Sequence, residues 1–205
     1  MDSLIFDIDG TIWDITYLCS VVYNTVYDKW NRKHPFVTAG QLHGLFGKPV
    51  NEVYDTVFRR FSEADRIKIR KECLLLEDDF LKKRSPQAYD GLVDALAYLQ
   101  KKYCLCIASN CQEGYIDRLF DCTGIGIYFT DTICFADTGL DKAENITAIM
   151  KRNHLKSSVY VGDTESDERA AKEAGIPFVF AEYGFGKAVC PDYTIRSPLE
   201  LKELF

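Results

Sequence analysis

The sequence predicts an α/β protein in which a doubly wound parallel, Rossmann-like sheet core carries an inserted all-helical cap domain. Three observations predict it. Short apolar runs at 3–6, 103–108, 158–161 and 177–181 are bounded by polar or Gly-containing segments, as expected for strands buried on both faces. Stretches with helical spacing separate the later runs, and strands alternating with helices imply crossover connections and a parallel sheet. The interval 15–85 breaks that alternation, with helical periodicity and no strand-like run. The expected division is therefore a core of residues 1–14 and 86–205 and a cap of 15–85.

In chain order, Ser-Leu-Ile-Phe at 3–6 is a strand that stops at the Asp and Gly cluster of 7–11. The insertion shows amphipathic patterns at Leu18/Val22/Val26/Trp30, at Val53/Val57/Phe61 and from Ile67 to Leu81, with His34-Pro35 and 44–49 as breakers. Leu92, Leu96 and Leu99 precede the second strand on a helix. Ile146, Ile149 and Met150 precede the third, and the Ala-rich segment 166–174 the fourth. Trp13, Tyr17, Tyr23, Tyr27 and Trp30, mostly at helical spacing, are expected to be packing residues.

At 205 residues the chain has the length of one substantial domain with a modest insertion. Its composition, 47% apolar and 27% charged with a formal net charge of −6, is that of a folded globular protein. The one dense basic run is Lys82-Lys83-Arg84, with a weaker Lys101-Lys102, and this excludes the clustered basic face of a nucleic-acid binder. No stretch approaches the roughly 20 apolar residues of a membrane span, and the Met-Asp-Ser start has no basic leader region. The expectation is a cytoplasmic protein, monomer or homodimer. Its eight cysteines show no CxxC pair and no His partner at zinc spacing, so they read as reduced and structural. Cys111 stands apart because it adjoins a loop of interest.

Polar clusters follow three of the strands: 7–11, Ser109-Asn110 and 162–167. Doubly wound sheets bind ligands at the carboxyl ends of their strands, so these clusters are expected to converge. Asp7 and Asp9 flank Ile8 and precede Gly10. The alternation of a strand lets the two acids share a rim while Ile8 enters the core, which suits one carboxylate to attack and its neighbour to move protons. Asp-Gly is also a common turn dipeptide. The segment Gly162-Asp163-Thr164-Glu165-Ser166-Asp167 opens a helix; its acids suit a hard cation such as Mg2+ and equally suit a helix first turn.

Asp-x-Asp-Gly-Thr at 7–11 with Asp14, then Ser109, then Lys142, then Gly162-Asp163-x-x-x-Asp167, stand in the order found in the haloacid dehalogenase-like hydrolase superfamily. The core of the chain resembles that family, and Gly-Asp-Thr-Glu-Ser-Asp followed by Ala-Gly-Ile-Pro is similar to its phosphoglycolate phosphatase-like branch. The resemblance implies that Asp7 is a nucleophile forming an aspartyl-phosphate and Asp9 the acid and base. Ser109 and Lys142 would hold the phosphoryl group, with Gly10, Thr11 and Asn110 as further substrate contacts. It implies Mg2+ held by Asp7, Asp9 through its carbonyl, Asp163 and Asp167. The presence of Asp9 points to phosphate esters or to phosphomutase chemistry, since the family's dehalogenases lack it.

The insertion would then be a cap that closes over the site, with the loop 44–49 facing the core and Lys48 touching a substrate anion. His34, His43 and His154 pair with no motif acid and are expected at the surface or in packing, and Glu165 and Glu168 on a solvated helix face. The loop 184–187 resembles one near the site in this branch and has no assigned role. The expected function is a Mg2+-dependent phosphatase of a small phosphorylated metabolite, phosphoglycolate being the best single guess. The alternatives are a sugar-phosphate mutase, an inorganic pyrophosphatase or nucleotidase of the same superfamily, and a binding protein without catalysis. The intact set of Asp7, Asp9, Lys142 and Asp163 speaks against the last.

Overall fold

A computed structural model describes residues 1–30, 36–84 and 86–205. Six strands form one parallel sheet: β1 (Ser3–Phe6), β2 (Cys104–Ser109), β3 (Asp131–Cys134), β4 (Ser158–Gly162), β5 (Phe178–Ala181) and β6 (Tyr193–Ile195), in the spatial order β3-β2-β1-β4-β5-β6. The chain builds outward from β1 to one side and then returns to build from β4 to the other. The order therefore reverses between β1 and β4, where a ligand crevice is expected. Register places Phe6 opposite both Ile107 and Val161, so Asp7, Ser109 and Asp163 emerge at one level of the same edge. The four central strands match the apolar runs of the sequence. The two edge strands are additions, because Asp131–Cys134 and Tyr193–Ile195 are short and partly exposed and carry no apolar run to mark them.

Among the described residues the insertion holds α1 (Thr16–Lys29), α2 (Ala39–His43), α3 (Val50–Val57) and α4 (Glu63–Arg84). Asp14 starts α1 by accepting from the Thr16 amide at 2.8 Å and hydroxyl at 2.6 Å, a capping role. The insertion has its own aromatic core, in which Tyr27 stacks on Phe58 at 4.8 Å and Tyr23 meets Tyr54 and Phe58 at 5.6 Å. Of the aromatics expected to pack, Tyr17 instead faces solvent at 66% exposure, one residue out of phase with the buried Leu18 and Val22. His34-Pro35 and the Ser85 boundary lie outside the described residues.

The remaining helices flank the sheet: α5 (Leu92–Leu99), α6 (Tyr115–Thr123), α7 (Phe135–Thr138), α8 (Lys142–Arg152), α9 (Glu165–Glu173) and α10 (Leu201–Leu204). Helix α8 begins at Lys142 because Asp141 and Glu144 form a capping box; Thr164 and Asp167 do the same for α9. Two cores result, one on each sheet face, with Leu4 and Phe6 pointing to one and Ile5 to the other. Among the described residues no helix is long and apolar enough to cross a membrane, and all eight cysteines are free thiols.

Candidate active site

Asp7 leaves β1 almost completely buried, and its amide extends the ladder to the Val161 carbonyl at 2.9 Å. Gly10 turns the chain at φ +85°, and a Cβ there would lie 2.2 Å from Asp163 Oδ2, so only glycine allows the loop to close over that carboxylate. Asp163 and Asp167 are fully buried at the start of α9. Lys142, also buried, reaches across to place its Nζ 3.0 Å from Asp7 Oδ1 and 2.6 Å from Asp167 Oδ1. Asp7, Asp163 and Asp167 each offer an oxygen within 4.8 Å of the others. Ser109 closes the group from the end of β2. The sequence-predicted acids, the hydroxyl and the amine thus meet on one rim.

The charges do not balance. Burial pushes Asp7 up to about 6, with the Asp167 charge adding and Lys142 opposing. Burial, then repulsion from Asp167 and Asp7, pushes Asp163 up to about 8. Burial alone would discharge Lys142, but Asp167 and Asp7 outweigh it and hold the ammonium above its ordinary range. Lys142 is 3.0 Å from Asp7 Oδ1 without being aligned to donate to it, so that oxygen is buried with no hydrogen-bond partner. One ammonium among three carboxylates and an orphaned acceptor is the environment a divalent oxygen-seeking cation fits.

The acids differ in how free they are. Asp167 Oδ2 accepts from the Thr164 amide and hydroxyl and from the Asp163 amide, and its other oxygen holds Lys142. It is the brace of the site, and any direct contact with a cation would compete with four donors. Asp163 accepts from the Phe185 amide at 2.8 Å. The loop 184–187 thereby acquires a role: a Cβ on Gly184 would stand 2.4 Å from both Asp163 Cβ and the Gly10 carbonyl, so this loop packs Asp163 into place.

Asp9 Oδ1 accepts from Tyr115 Oη at 2.6 Å and from Trp13 Nε1 at 3.0 Å. Loss of water raises Asp9 to about 7, the Tyr115 bond opposing and the Asp7 charge adding. Neither donor carries a sequence signal. Trp13 reaches Asp9 back across the local turn, 4 residues on, whereas Tyr115, the first residue of α6, is 106 residues away and only the fold brings it there.

Other expected contacts are placed differently. Gly10 and Thr11 form the floor under Asp163: Thr11 is fully buried, its hydroxyl 3.4 Å from Asp163 Oδ1 and its carbonyl bonded to Tyr183. Asn110 donates to the Gly47 carbonyl at 3.1 Å, tying the core to the loop 44–49 of the insertion. Lys48, in that loop, is exposed and lines the mouth of the cavity. Cys111 is buried beside Cys134, and burial drives its thiol far up, the condition of a structural thiol. His43, expected to be unpaired, sits 3.4 Å from Asp14 and stacks on Phe185 at 4.5 Å; His154 is exposed. Glu165 is exposed as expected, but Glu168 is 3% exposed and accepts from the Val189 and Cys190 amides, because the chain after β5 folds back over it.

Above the rim lies a narrow cavity of about 50 Å3, walled by Asp7, Asp9, Ser109 and Lys142 below and by the insertion above. From that side Glu77 enters, a residue outside the motifs read from the sequence. The signal existed: α4 buries Ile69, Cys73, Glu77 and Leu81, a stripe of spacing four in which one member is a carboxylate.

The family model described as haloacid dehalogenase-like hydrolase matches residues 4–181. The chain belongs to this family. A phosphoglycolate phosphatase of Vibrio parahaemolyticus is 26% identical over 97% of this chain and 93% of its own length. One of Aquifex aeolicus is 30% identical over 53% of this chain, an alignment that spans 54% of that relative. The fold is shared with a predicted phosphoglycolate phosphatase of Haemophilus somnus, with a TM-score of 0.90, 16% identity and 100% and 97% of the two chains covered. It is shared too with a CbbY mutant of Rhodobacter sphaeroides in complex with xylulose-(1,5)-bisphosphate, at 0.83, 15% identity and 98% and 96% coverage. This member is a hydrolase by family, and its named relatives are phosphatases.

Proposed function

We propose that the chain is a Mg2+-dependent phosphatase that hydrolyses a small phosphate monoester through an aspartyl-phosphate on Asp7. The observation that carries this reading is the meeting of Asp7, Lys142 and Asp163 on one buried rim with Asp9 beside them. Phosphoryl transfer asks a protein chiefly for positioning and for positive charge around the equatorial oxygens. Lys142, held by Asp7 and Asp167, supplies fixed charge at the attacking carboxylate. Asp7, Asp163 and the Asp9 carbonyl would hold Mg2+, with Asp167 bracing them; when bound, the ion neutralises charge on the phosphoryl oxygens and on Asp7.

In the first step an Asp7 oxygen attacks phosphorus, the ester P–O bond breaks, and Asp9 gives its proton to the departing alkoxide. In the second, Asp9 takes a proton from water as that water attacks the phosphorus of the acyl phosphate, releasing phosphate and restoring Asp7. A carboxyl that titrates near 7 serves both directions at neutral pH. Tyr115 and Trp13 hold Asp9 Oδ1, leaving its second oxygen for the proton. The insertion acts as a cap, and the Asn110 to Gly47 bond ties it to the core. The names of the relatives make phosphoglycolate the first ester to assay. The test is hydrolysis of p-nitrophenyl phosphate with Mg2+ by the wild type and by Asp7→Asn; equal turnover by the two removes Asp7 from its role.

A further inference from the structure

The insertion carries a buried carboxylate that the proposed chemistry leaves unused. Glu77 is 5% exposed on the inward face of α4 and lines the same cavity as Asp7 and Asp9. The Tyr54 hydroxyl donates to its Oε1 at 3.2 Å, and Tyr23 lines the cavity beside them. The Tyr54 bond dresses it as an acceptor. At the other inward positions of α4 stand Ile69, Cys73 and Leu81. An apolar side chain fills such a position without the desolvation cost of a charge, so packing alone does not account for a glutamate there.

We propose that Glu77 determines specificity by accepting a hydrogen bond from the leaving-group end of the substrate, and that this end is a neutral hydroxylated chain rather than a carboxylate. The inference rests on the phosphatase reading above. With the phosphoryl group at Asp7 and Lys142 and the bridging oxygen at Asp9, the rest of the ester extends into the space under α4. Two cations line that cavity. Lys142 is engaged by Asp7 and Asp167, and Lys48 is exposed at the mouth. A carboxylate on the substrate would therefore face Glu77 and Asp9 without a buried positive partner. A hydroxyl donates to the lone pairs of Glu77 that Tyr54 leaves free and brings no charge of its own, and an ammonium would meet Lys48 on its way in.

Three esters of nearly equal size separate these cases: 2-hydroxyethyl phosphate, phosphoglycolate and phosphoethanolamine, assayed at pH 8 with Mg2+ by phosphate release from the full chain, with p-nitrophenyl phosphate as reference. The expected result is a kcat/KM for 2-hydroxyethyl phosphate about tenfold or more above that for phosphoglycolate, and above that for phosphoethanolamine. Glu77→Gln, which keeps the shape and removes the charge, should bring the hydroxyethyl and phosphoglycolate values to within about threefold. Preference for phosphoglycolate or phosphoethanolamine by the wild type overturns the assignment without any variant, and so does an unchanged ratio in a folded Glu77→Gln. A chain that hydrolyses the aryl ester but fails the comparison loses only this inference. A chain inert towards all four esters loses the phosphatase reading and this one together.

Discussion

The rim of the sheet and the wall of the insertion both bury carboxylates, and they compensate them by different means. At the rim, Asp7, Asp163 and Asp167 share a full ammonium from Lys142 and remain under-compensated. In the wall, Glu77 has the hydroxyl dipole of Tyr54, with Tyr23 lining the cavity beside it. Full charges at close range hold a phosphoryl group and a cation, whereas dipoles around a lone acceptor suit a neutral polar chain. The same cavity is thus electrostatically strong at its floor and selective at its roof, as a division between chemistry and recognition requires.

The sharpest way to break this contrast is at the floor. Asp7→Asn should lower kcat for any phosphate ester by at least about 10^4-fold, because the covalent step loses its attacking group. The variant should also melt no lower than wild type, since it removes one of three mutually repelling carboxylates. Chelation probes the same floor: EDTA should suppress activity, Mg2+ restore it, and Mg2+ alone should raise Tm by filling the acidic rim. Turnover indifferent to chelator would contradict the charge imbalance on which the metal site rests.

Asp9 stands between the two regions and its replacement should have a graded effect. Asp9→Asn is expected to slow alkyl esters by roughly 10^2- to 10^4-fold, and p-nitrophenyl phosphate less, because a good leaving group needs no proton in the first step. Equal losses for alkyl and aryl esters would place Asp9 in positioning rather than in proton transfer. Tyr115→Phe removes one of the two donors to Asp9 Oδ1 and should shift the pH profile upward. The Tyr115 bond favours the ionised form of Asp9, so without it the carboxyl holds its proton to higher pH.

How much of this was legible follows from what each feature depends on. The four central strands are buried on both faces and read as apolar runs, whereas Asp131–Cys134 and Tyr193–Ile195 lie at the edges and read as nothing in particular. Asp7, Asp9, Lys142, Asp163 and Asp167 were legible because each sits at a fixed place relative to a strand or helix end, so local pattern and sheet topology together locate them. Tyr115 as a partner of Asp9 was not legible, since it lies 106 residues away and is joined by tertiary packing alone; Trp13 is only 4 residues on, but no local pattern marks its indole as a donor. Glu168 was misread for the same reason: its amide partners come from beyond β5. Glu77 is the instructive case: it stands at the spacing of Ile69, Cys73 and Leu81, and amphipathic periodicity alone does not separate a carboxylate in that stripe from the packing around it.

That burial gives the smallest and most specific prediction. Burial raises Glu77 from 4.5 to about 7, against the Tyr54 and Tyr23 bonds and with Asp9 adding. A group whose pKa is higher in the folded than in the unfolded chain contributes stability that is fully present below the unfolded value and is lost as pH rises through the folded one. Glu77 should thus help the fold least above pH 7 and most below pH 4.5. The difference across that window corresponds to up to about 3 kcal/mol. Glu77→Gln cannot titrate, so its stability should fall less than that of wild type between pH 5 and pH 8. Asp7, Asp9 and Asp163 titrate in both proteins and largely cancel in the double difference. Urea denaturation of the two chains at pH 5 and pH 8 measures this directly. Parallel pH dependences would mean that water reaches Glu77 freely, and the roof of the cavity would lose the low-polarity surroundings that make its single carboxylate selective.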